Sequence, residues 1–278
     1  MTMKSKTAVV GLCLLLLVIA CALLAPVLAP HDPAEQNLAA RLRPPAWLPG
    51  GNSQHPLGTD HLGRDILSRI IYGSRVSLLV ALIAVAVSGV IGTFLGLAAG
   101  YWRGRVDSCI MLLAEVQMAF PFILLALAVM AVLGPGLRNV IVVLGVTGWV
   151  AYGRLIRAEV LSVSAKEFVE AARALGQKDY KIMLRHILPN VMPSVIVMAS
   201  LRVANMIIAE SSLTFMGLGV EPHIPTWGSM LADGRAYLTS AWWLATFPGL
   251  AIMLTVLAVN LVGAWLRDIL DPRLNNAM

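Results

Sequence analysis

The sequence predicts an all-α membrane protein with six transmembrane helices and both termini cytoplasmic. Three observations carry that prediction. The chain is 58% hydrophobic and only 13% charged, with a mean hydropathy of +0.79, whereas an ordinary soluble domain is about 25% charged. Its apolar residues gather into runs of bilayer length, about 20 residues being needed for a span. Lys and Arg gather in the connections on one side of those runs, and that bias sets orientation. The net charge of +6 therefore follows the loops and is no nucleic-acid signal. Cys13, Cys21 and Cys109 lie in or beside apolar runs, with neither metal spacing nor a disulfide framework. They are read as packing residues.

The first run covers residues 8–29, behind Lys4 and Lys6. A signal peptide would have a shorter apolar core, and the Ala-Pro steps at 25–26 and 29–30 make poor cleavage sites, so an uncleaved anchor is expected. The remaining runs are 77–100, 110–133, 139–152, 191–216 and 243–266. The fourth is short for a crossing unless it extends through Arg154. With the N-terminus inside, the inner connections hold Lys4, Lys6, Arg103, Arg105, Arg154, Arg157, Lys166, Arg173, Lys178, Lys181, Arg185, Arg267 and Arg273. The outer segments hold Arg41, Arg43, Arg64, Arg69, Arg75, Arg138 and Arg235. Trp102, Trp242, Trp243 and Trp265 fall where interfacial aromatic belts belong.

Two outer segments invite a functional reading. Pro30, Pro33, Pro44, Pro45, Pro49 and Pro56 make the first an extended, semi-rigid stretch. It closes on a Gly-, Asp- and His-rich turn at 55–65, after which Ile66, Leu67, Ile70 and Ile71 recur at helical spacing, giving a short amphipathic helix into the second span. His55, Asp60, His61 and Asp65 suggest a metal site, but a capped turn with an Arg64–Asp pair explains the same residues and is adopted; no metal is assigned. The second segment, 217–228, is so dense in Gly and Pro that a continuous helix is excluded and turns are favoured. Its glycines and Trp227 point to an ordered element rather than a generic loop.

Between the fourth and fifth spans lies a charged, helix-prone hairpin at 167–190. Helix formers run from Glu170 to Leu175, and Gly176 can end that helix as a left-handed residue. A second short helix is expected over 177–188, with Pro189 marking its stop before the fifth span. Ala171 and Ala172 would let a partner surface approach the backbone closely, and Glu170 either pairs with a basic residue on that partner or caps its own helix.

The order Glu170-Ala171-Ala172, three residues, Gly176, then Leu188-Pro189 resembles the EAA loop of ATP-binding-cassette importer permeases, although His186 stands where that pattern has isoleucine. Pro56-Leu57-Gly58-Thr59-Asp60, Gly63-Arg64-Asp65 and Ser68-Arg69 resemble the dipeptide, oligopeptide and nickel subclass. Gly217-Leu218-Gly219, Pro222, Pro225 and Trp227-Gly228 match a stretch that in this family faces the solute-binding protein, and the closing residues 266–273 also conform. The resemblance implies a type I importer core of five helices behind an N-terminal anchor. The anchor and Pro-rich segment would occupy 1–76 and the permease core 77–278, with the coupling loop at about 157–190. It implies a bacterial inner-membrane location, a homologous second permease, two ATPase subunits holding ATP and magnesium, an extracytoplasmic binding protein, and no cofactor in this chain. Glu170, Ala171, Ala172, Gly176, Leu188 and Pro189 would contact the ATPase. Peptides are the first expectation for cargo, with nickel or another small solute, such as an opine-like or glycosylated molecule, the alternative.

The chain contains no Gly-Lys-Ser or Gly-Lys-Thr step and hence no P-loop, so ATP hydrolysis belongs to a partner. An intramembrane serine protease is disfavoured because no G-x-S-x-G occurs. A secondary transporter or channel would place ionisable groups within the spans. Glu115, Arg202 and Glu210 do lie there, and are candidates to line a pathway or meet a sister subunit. That alternative leaves the hairpin unexplained.

Overall fold

The computed structural model describes residues 6–270; Lys4, Pro272 and Arg273 lie outside the described residues. Regular structure among these is helical, with one isolated bridge between Thr59 and Asp65. Helix α1 (Lys6–Leu23) and the short α2 (Ala25–Leu28) occupy the first predicted run, with Pro26 in the first turn of α2, where a missing N–H costs nothing. Helix α3 (Ile66–Trp102) joins the amphipathic segment and the second span into one rod of 37 residues. At 1.5 Å per residue it is about 55 Å long, far more than the roughly 30 Å hydrocarbon layer requires. Its first turns therefore belong to the cap described below.

The third predicted span is not straight. Helices α4 (Gly104–Met118) and α5 (Phe122–Leu133) meet at 87°. Pro121 lacks an N–H and disfavours helix at Phe120 before it, so the apolar run breaks there. Five stretches are long and apolar enough to cross a membrane, or six if this bent pair is one span. The fourth span is longer than 139–152. Helix α6 (Leu137–Thr147) continues past Gly148 into α7 (Trp149–Val163), giving 27 residues. The hairpin holds α8 (Glu167–Ala174) and α9 (Asp179–Ile182), and α9 passes through a π-helical turn into α10 (Leu188–Phe215). After the Gly/Pro segment come α11 (Trp227–Gly234) and α12 (Trp243–Leu270).

The core is organised around a close, parallel contact between α3 and α7. Gly92, Gly96 and Gly100 form a ridge at four-residue spacing. A Cβ on Gly92 would lie 2.5 Å from the Trp149 carbonyl oxygen, on Gly96 2.7 Å from that of Gly153, and on Gly100 2.7 Å from the Val160 Cβ. Small residues at this spacing let helices pack backbone to backbone in a membrane, where van der Waals contact rather than hydrophobic exclusion drives association. The obstructing atoms at Gly92 and Gly96 include backbone, which cannot swing aside. Gly96→Val is expected to cost about 1–3 kcal/mol or more through overpacking. The check is fluorescence-detected gel filtration of the detergent extract, in which the monodisperse peak should fall several-fold.

Gly11 of α1 packs against Ala258 and Leu261 of α12, so the first half of α1 lies beside the second half of α12. The end of α3 at Tyr101 shares a hydrophobic cluster with Val169, Ala172 and Ile182 of the hairpin. Arg267 of α12 lines a cleft with Lys166. The described beginning and end of the chain and the hairpin thus share one face, and the segments 29–65 and 217–242 form the opposite one.

Candidate coupling hairpin and outer cap

The hairpin turns where its glycine makes it turn. Gly176 has φ +72°, the left-handed region that L side chains avoid. Its N–H donates to the Arg173 carbonyl at 3.0 Å, and the Gln177 N–H donates to the Ala172 carbonyl at 3.1 Å. This pair of bonds is a Schellman closure of α8. The His186 ring nitrogen Nε2 meets Gln177 Oε1 at 2.9 Å, which ties the second arm to the turn and gives the histidine at that slot a structural task.

One side of the hairpin is anchored and the other is bare. Val169, Ala172, Ile182 and Ile187 pack with Leu97, Tyr101, Ile156 and Val160. Ala171 and Glu170 are exposed, as are Phe168, Tyr180 and Leu184, and Leu175 is 87% exposed. The two alanines therefore part company: Ala171 faces outward as expected, while Ala172 is buried against the spans. Glu170 does not cap its own helix, whose N-terminus has no side-chain cap. Its carboxylate has no hydrogen bond or ion pair among the described residues.

Pro189 does not stop the helix. Leu188 N–H donates to the Met183 carbonyl across the π-helical turn, and Asn190 Nδ2 donates to the His186 carbonyl at 2.7 Å. The turn absorbs the missing proline N–H, and the helical run extends over 37 residues, Asp179–Phe215. Leu188 is half-buried against the anchored cluster and Pro189 is exposed. A latch that sequence reading missed holds the turn to α3. Tyr101 donates its hydroxyl to Asp179 Oδ1 at 2.7 Å, and the Arg173 guanidinium lies 5.5 Å from the Tyr101 ring centroid. An aromatic at the end of a span, followed by an Arg and an Asp flanking the hairpin turn, was the available signal.

On the opposite face the turn at 55–65 is built from capped structure and ion pairs. Asp65 is the N-cap of α3, accepting from the Ser68 N–H at 2.8 Å, and His55 Nδ1 meets its other oxygen at 3.0 Å. Asp60 takes Arg64 Nε at 2.6 Å and also pairs with Arg69. Arg64 reaches on to Asp233 of α11 at 3.0 Å. Burial works to raise the Asp60 pKa, but the Arg69 and Arg64 guanidiniums, with backbone N–H donors from Arg64 and Leu62, hold it below its ordinary 3.8. A carboxylate depressed in this way stabilises the fold above its ordinary value and loses that contribution as pH falls through the lowered one. Cap unfolding is therefore expected to become easier from roughly pH 4 downward, which thermal melts across an acid series would read.

The segment 217–228 is ordered. Gly217, at φ +82°, closes α10 with the Leu218 N–H donating to the Leu213 carbonyl at 3.1 Å. Glu221 accepts from the Leu137 N–H at 3.0 Å at the start of α6. Thr226 and Ser229 form a reciprocal capping box on α11. Trp227 is 1% exposed, and its ring N–H donates to the Ile70 carbonyl at 3.1 Å.

The three intramembrane candidates do not converge. Glu210 is fully buried and accepts from Thr214 at 3.0 Å, and from Ser77 and Ser211 at 3.3 Å each. Ser77 also receives the Trp227 backbone N–H at 3.4 Å, so this carboxylate joins α3 and α10 to the cap. Arg202 is half-buried beside Tyr152 on α7. Glu115 is exposed in a cleft of about 750 Å³ between α4 and α7, with Arg154 and the Asp107–Arg157 ion pair.

Residues 92–276 match the family described as the binding-protein-dependent transport system inner membrane component, and residues 2–45 match the N-terminal TM domain of oligopeptide transport permease C. Among curated relatives, the Di/tripeptide transport system permease protein DppC of Pseudomonas aeruginosa is 46% identical, the alignment covering 98% of this chain and 90% of the relative. The Glutathione transport system permease protein GsiD of Pectobacterium atrosepticum is 43% identical over 99% of this chain and 89% of its own. The Dipeptide transport system permease protein DppC of Alkalihalophilus pseudofirmus is 42% identical over 98% and 88%. Among solved structures, an inward facing form of the MetNI methionine ABC transporter superposes with a TM-score of 0.57 at 16% identity, over 73% of this chain and 96% of that one. At that identity the likeness speaks for the fold alone.

Proposed function

This chain belongs to the family of binding-protein-dependent transport system inner membrane components, as a permease of the dipeptide and oligopeptide importer type, and we propose that it forms half of a pathway for short peptides powered by separate ATPase subunits. The observation that carries the coupling is the hairpin. It stands outside the spans, is anchored inward by Val169, Ala172, Ile182 and Ile187, and presents Glu170, Ala171 and Leu175 to solution. An exposed apolar and charged surface of this kind marks a docking site. The Lys/Arg bias supports a cytoplasmic hairpin face in a bacterial inner membrane, with both termini on that side. The partners are a homologous permease, two ATPases carrying ATP and magnesium, and a binding protein at the cap.

ATP closes the ATPase pair, and the two hairpins move with it. The spans pass from inward-open to outward-open, the binding protein releases its cargo, and hydrolysis resets the assembly. This is alternating access with the energy supplied in trans. Short peptides are favoured as cargo because the relatives above are named for dipeptide, di/tripeptide and glutathione transport.

Isolation of the chain from its native membrane in a gentle detergent, with co-purifying proteins identified by mass spectrometry, tests the reading. A second permease and P-loop ATPases are expected. A chain recovered alone, from a preparation that preserves known complexes, would return the secondary-transporter reading to first place. The latch offers a finer check. Tyr101→Phe removes one hydrogen bond to a charged group, worth about 1.5–3 kcal/mol, and should raise the ATP hydrolysed per solute imported without reducing complex yield.

A further inference from the structure

Where α7 and α12 flank α10 beside the root of the hairpin, they border a half-open cleft of about 730 Å³. This is within the usual range for small-molecule sites. Its wall is apolar along Leu155, Val197 and Leu201, and charged at two levels. Glu159 lies about one turn before the end of α7, its carboxylate accepting from Ser194 Oγ at 3.2 Å. Lys166 and Arg267 stand at the mouth. None of the three forms an ion pair among the described residues. A half-buried carboxylate on a membrane-spanning helix is costly against lipid, which places this wall against water rather than acyl chains.

We propose that this cleft is a release station for the transported peptide, in which Glu159 takes the ammonium terminus, Lys166 and Arg267 take the carboxylate terminus, and the apolar wall takes the side chains. The inference rests on the peptide-importer reading. Glu159 lies four residues before the end of α7 and Lys166 three residues beyond it, a separation on the order of 10 Å along the chain direction. An extended tripeptide spans about the same length at 3.3–3.6 Å per residue. A phospholipid headgroup carries its charges within a few atoms of each other, too close to bridge the two levels, and its phosphate would be repelled by Glu159. Lys166 is also the N-cap residue of α8, so motion of the hairpin displaces one half of the carboxylate grip. Release is thereby tied to the ATPase stroke.

The test uses the complete importer in lipid nanodiscs, without binding protein or nucleotide, and trialanine as probe, with affinity read by saturation-transfer NMR titration. Wild-type complex should bind trialanine. Glu159→Gln, or acetylation of the peptide N-terminus, should each weaken binding at least fivefold, and the two together should be no worse than either alone. Arg267→Gln and C-terminal amidation should behave as a second such pair. Equal binding of trialanine by wild type and Glu159→Gln would overturn the assignment. So would a phospholipid retained in native mass spectra and lost in Arg267→Gln, with no peptide bound. Uptake into proteoliposomes supplied with the binding protein separates the two levels of failure. Unchanged peptide import by the variants refutes the cleft and leaves the importer reading standing. A wild-type complex that imports no di- or tripeptide refutes both.

Discussion

Gly176→Pro is expected to cut solute uptake by the reconstituted importer more than tenfold, while the chain still inserts and still co-purifies with its partner permease. Proline fixes φ near −65° and lacks an N–H. Gly176 sits at φ +72°, and its N–H closes α8 onto Arg173. The turn must therefore re-form elsewhere, shifting α8, with Ala171 and Leu175, relative to α9. A Cβ at this position meets nothing within 4 Å, so crowding plays no part. Gly176→Ala should then cost only the left-handed penalty of about 1–2 kcal/mol, and Gly176→Asn less. Uptake and ATP turnover measured on the four proteins should rank Gly, Asn, Ala, Pro. Wild-type uptake by the proline variant would contradict the coupling role. Glu170→Lys is the companion, since it inverts an exposed, unpaired charge without touching the anchored side. Its expected effect is reduced recovery of the ATPase at unchanged permease yield.

The second large effect is expected at Asp60. Arg69 is 2% exposed and shares Asp60 with Arg64, so Asp60→Ala leaves two buried guanidiniums with Asp233 as their remaining carboxylate. Removing one partner from a buried network costs about 3–5 kcal/mol. For a chain of this size that lowers the apparent melting midpoint by on the order of 10 °C. Thermal melts at a fixed scan rate would read it, followed by tryptophan emission, because Trp243 donates to the Thr59 carbonyl at 3.3 Å beside the network. Asp60→Ala with Arg69→Met should recover part of the loss. A double variant as unstable as the single one would show that packing, not the orphaned charge, sets the cost.

The spans were legible because a bilayer demands long apolar runs, and the hairpin because Gly176 and its flanking helix formers obey local rules. The N-cap at Asp65 was legible by the same local rules, since its partner Ser68 is only three residues away. What escaped depended on tertiary placement. Asp60 and Asp233 meet through Arg64, which is 169 residues from Asp233, and no spacing in the sequence announces that. The continuation of the helix through Pro189 depends on a π-helical turn, in which the Leu188 N–H reaches back to the Met183 carbonyl. Two signals were present and unread. Gly92, Gly96 and Gly100 spell a small-residue ridge, and Pro121 in the middle of an apolar run spells a break, yet hydropathy averages over both. Glu210 was read for its charge, whereas its surroundings are Ser77, Ser211 and Thr214, a set that the fold alone could assemble.

The unbroken path from Asp179 to Phe215 has a mechanical consequence. Helix α10 contributes 28 residues, about 42 Å of arm beyond the π-helical turn. The hairpin on the near side is only a few turns long. A rotation of about 10° about that fulcrum would sweep Phe215 through roughly 7 Å, on the scale of one helical turn. The short end would meanwhile travel much less, so the arrangement multiplies distance at the expense of force. Because Thr214 Oγ1 accepts the Val220 N–H at 3.3 Å and so ties the far end to the cap, a small, stiff displacement imposed at Leu175 emerges as a wide, compliant one on the other side of the membrane. A spin-label pair at the two ends of the arm should report unequal excursions in the nucleotide-bound and nucleotide-free states.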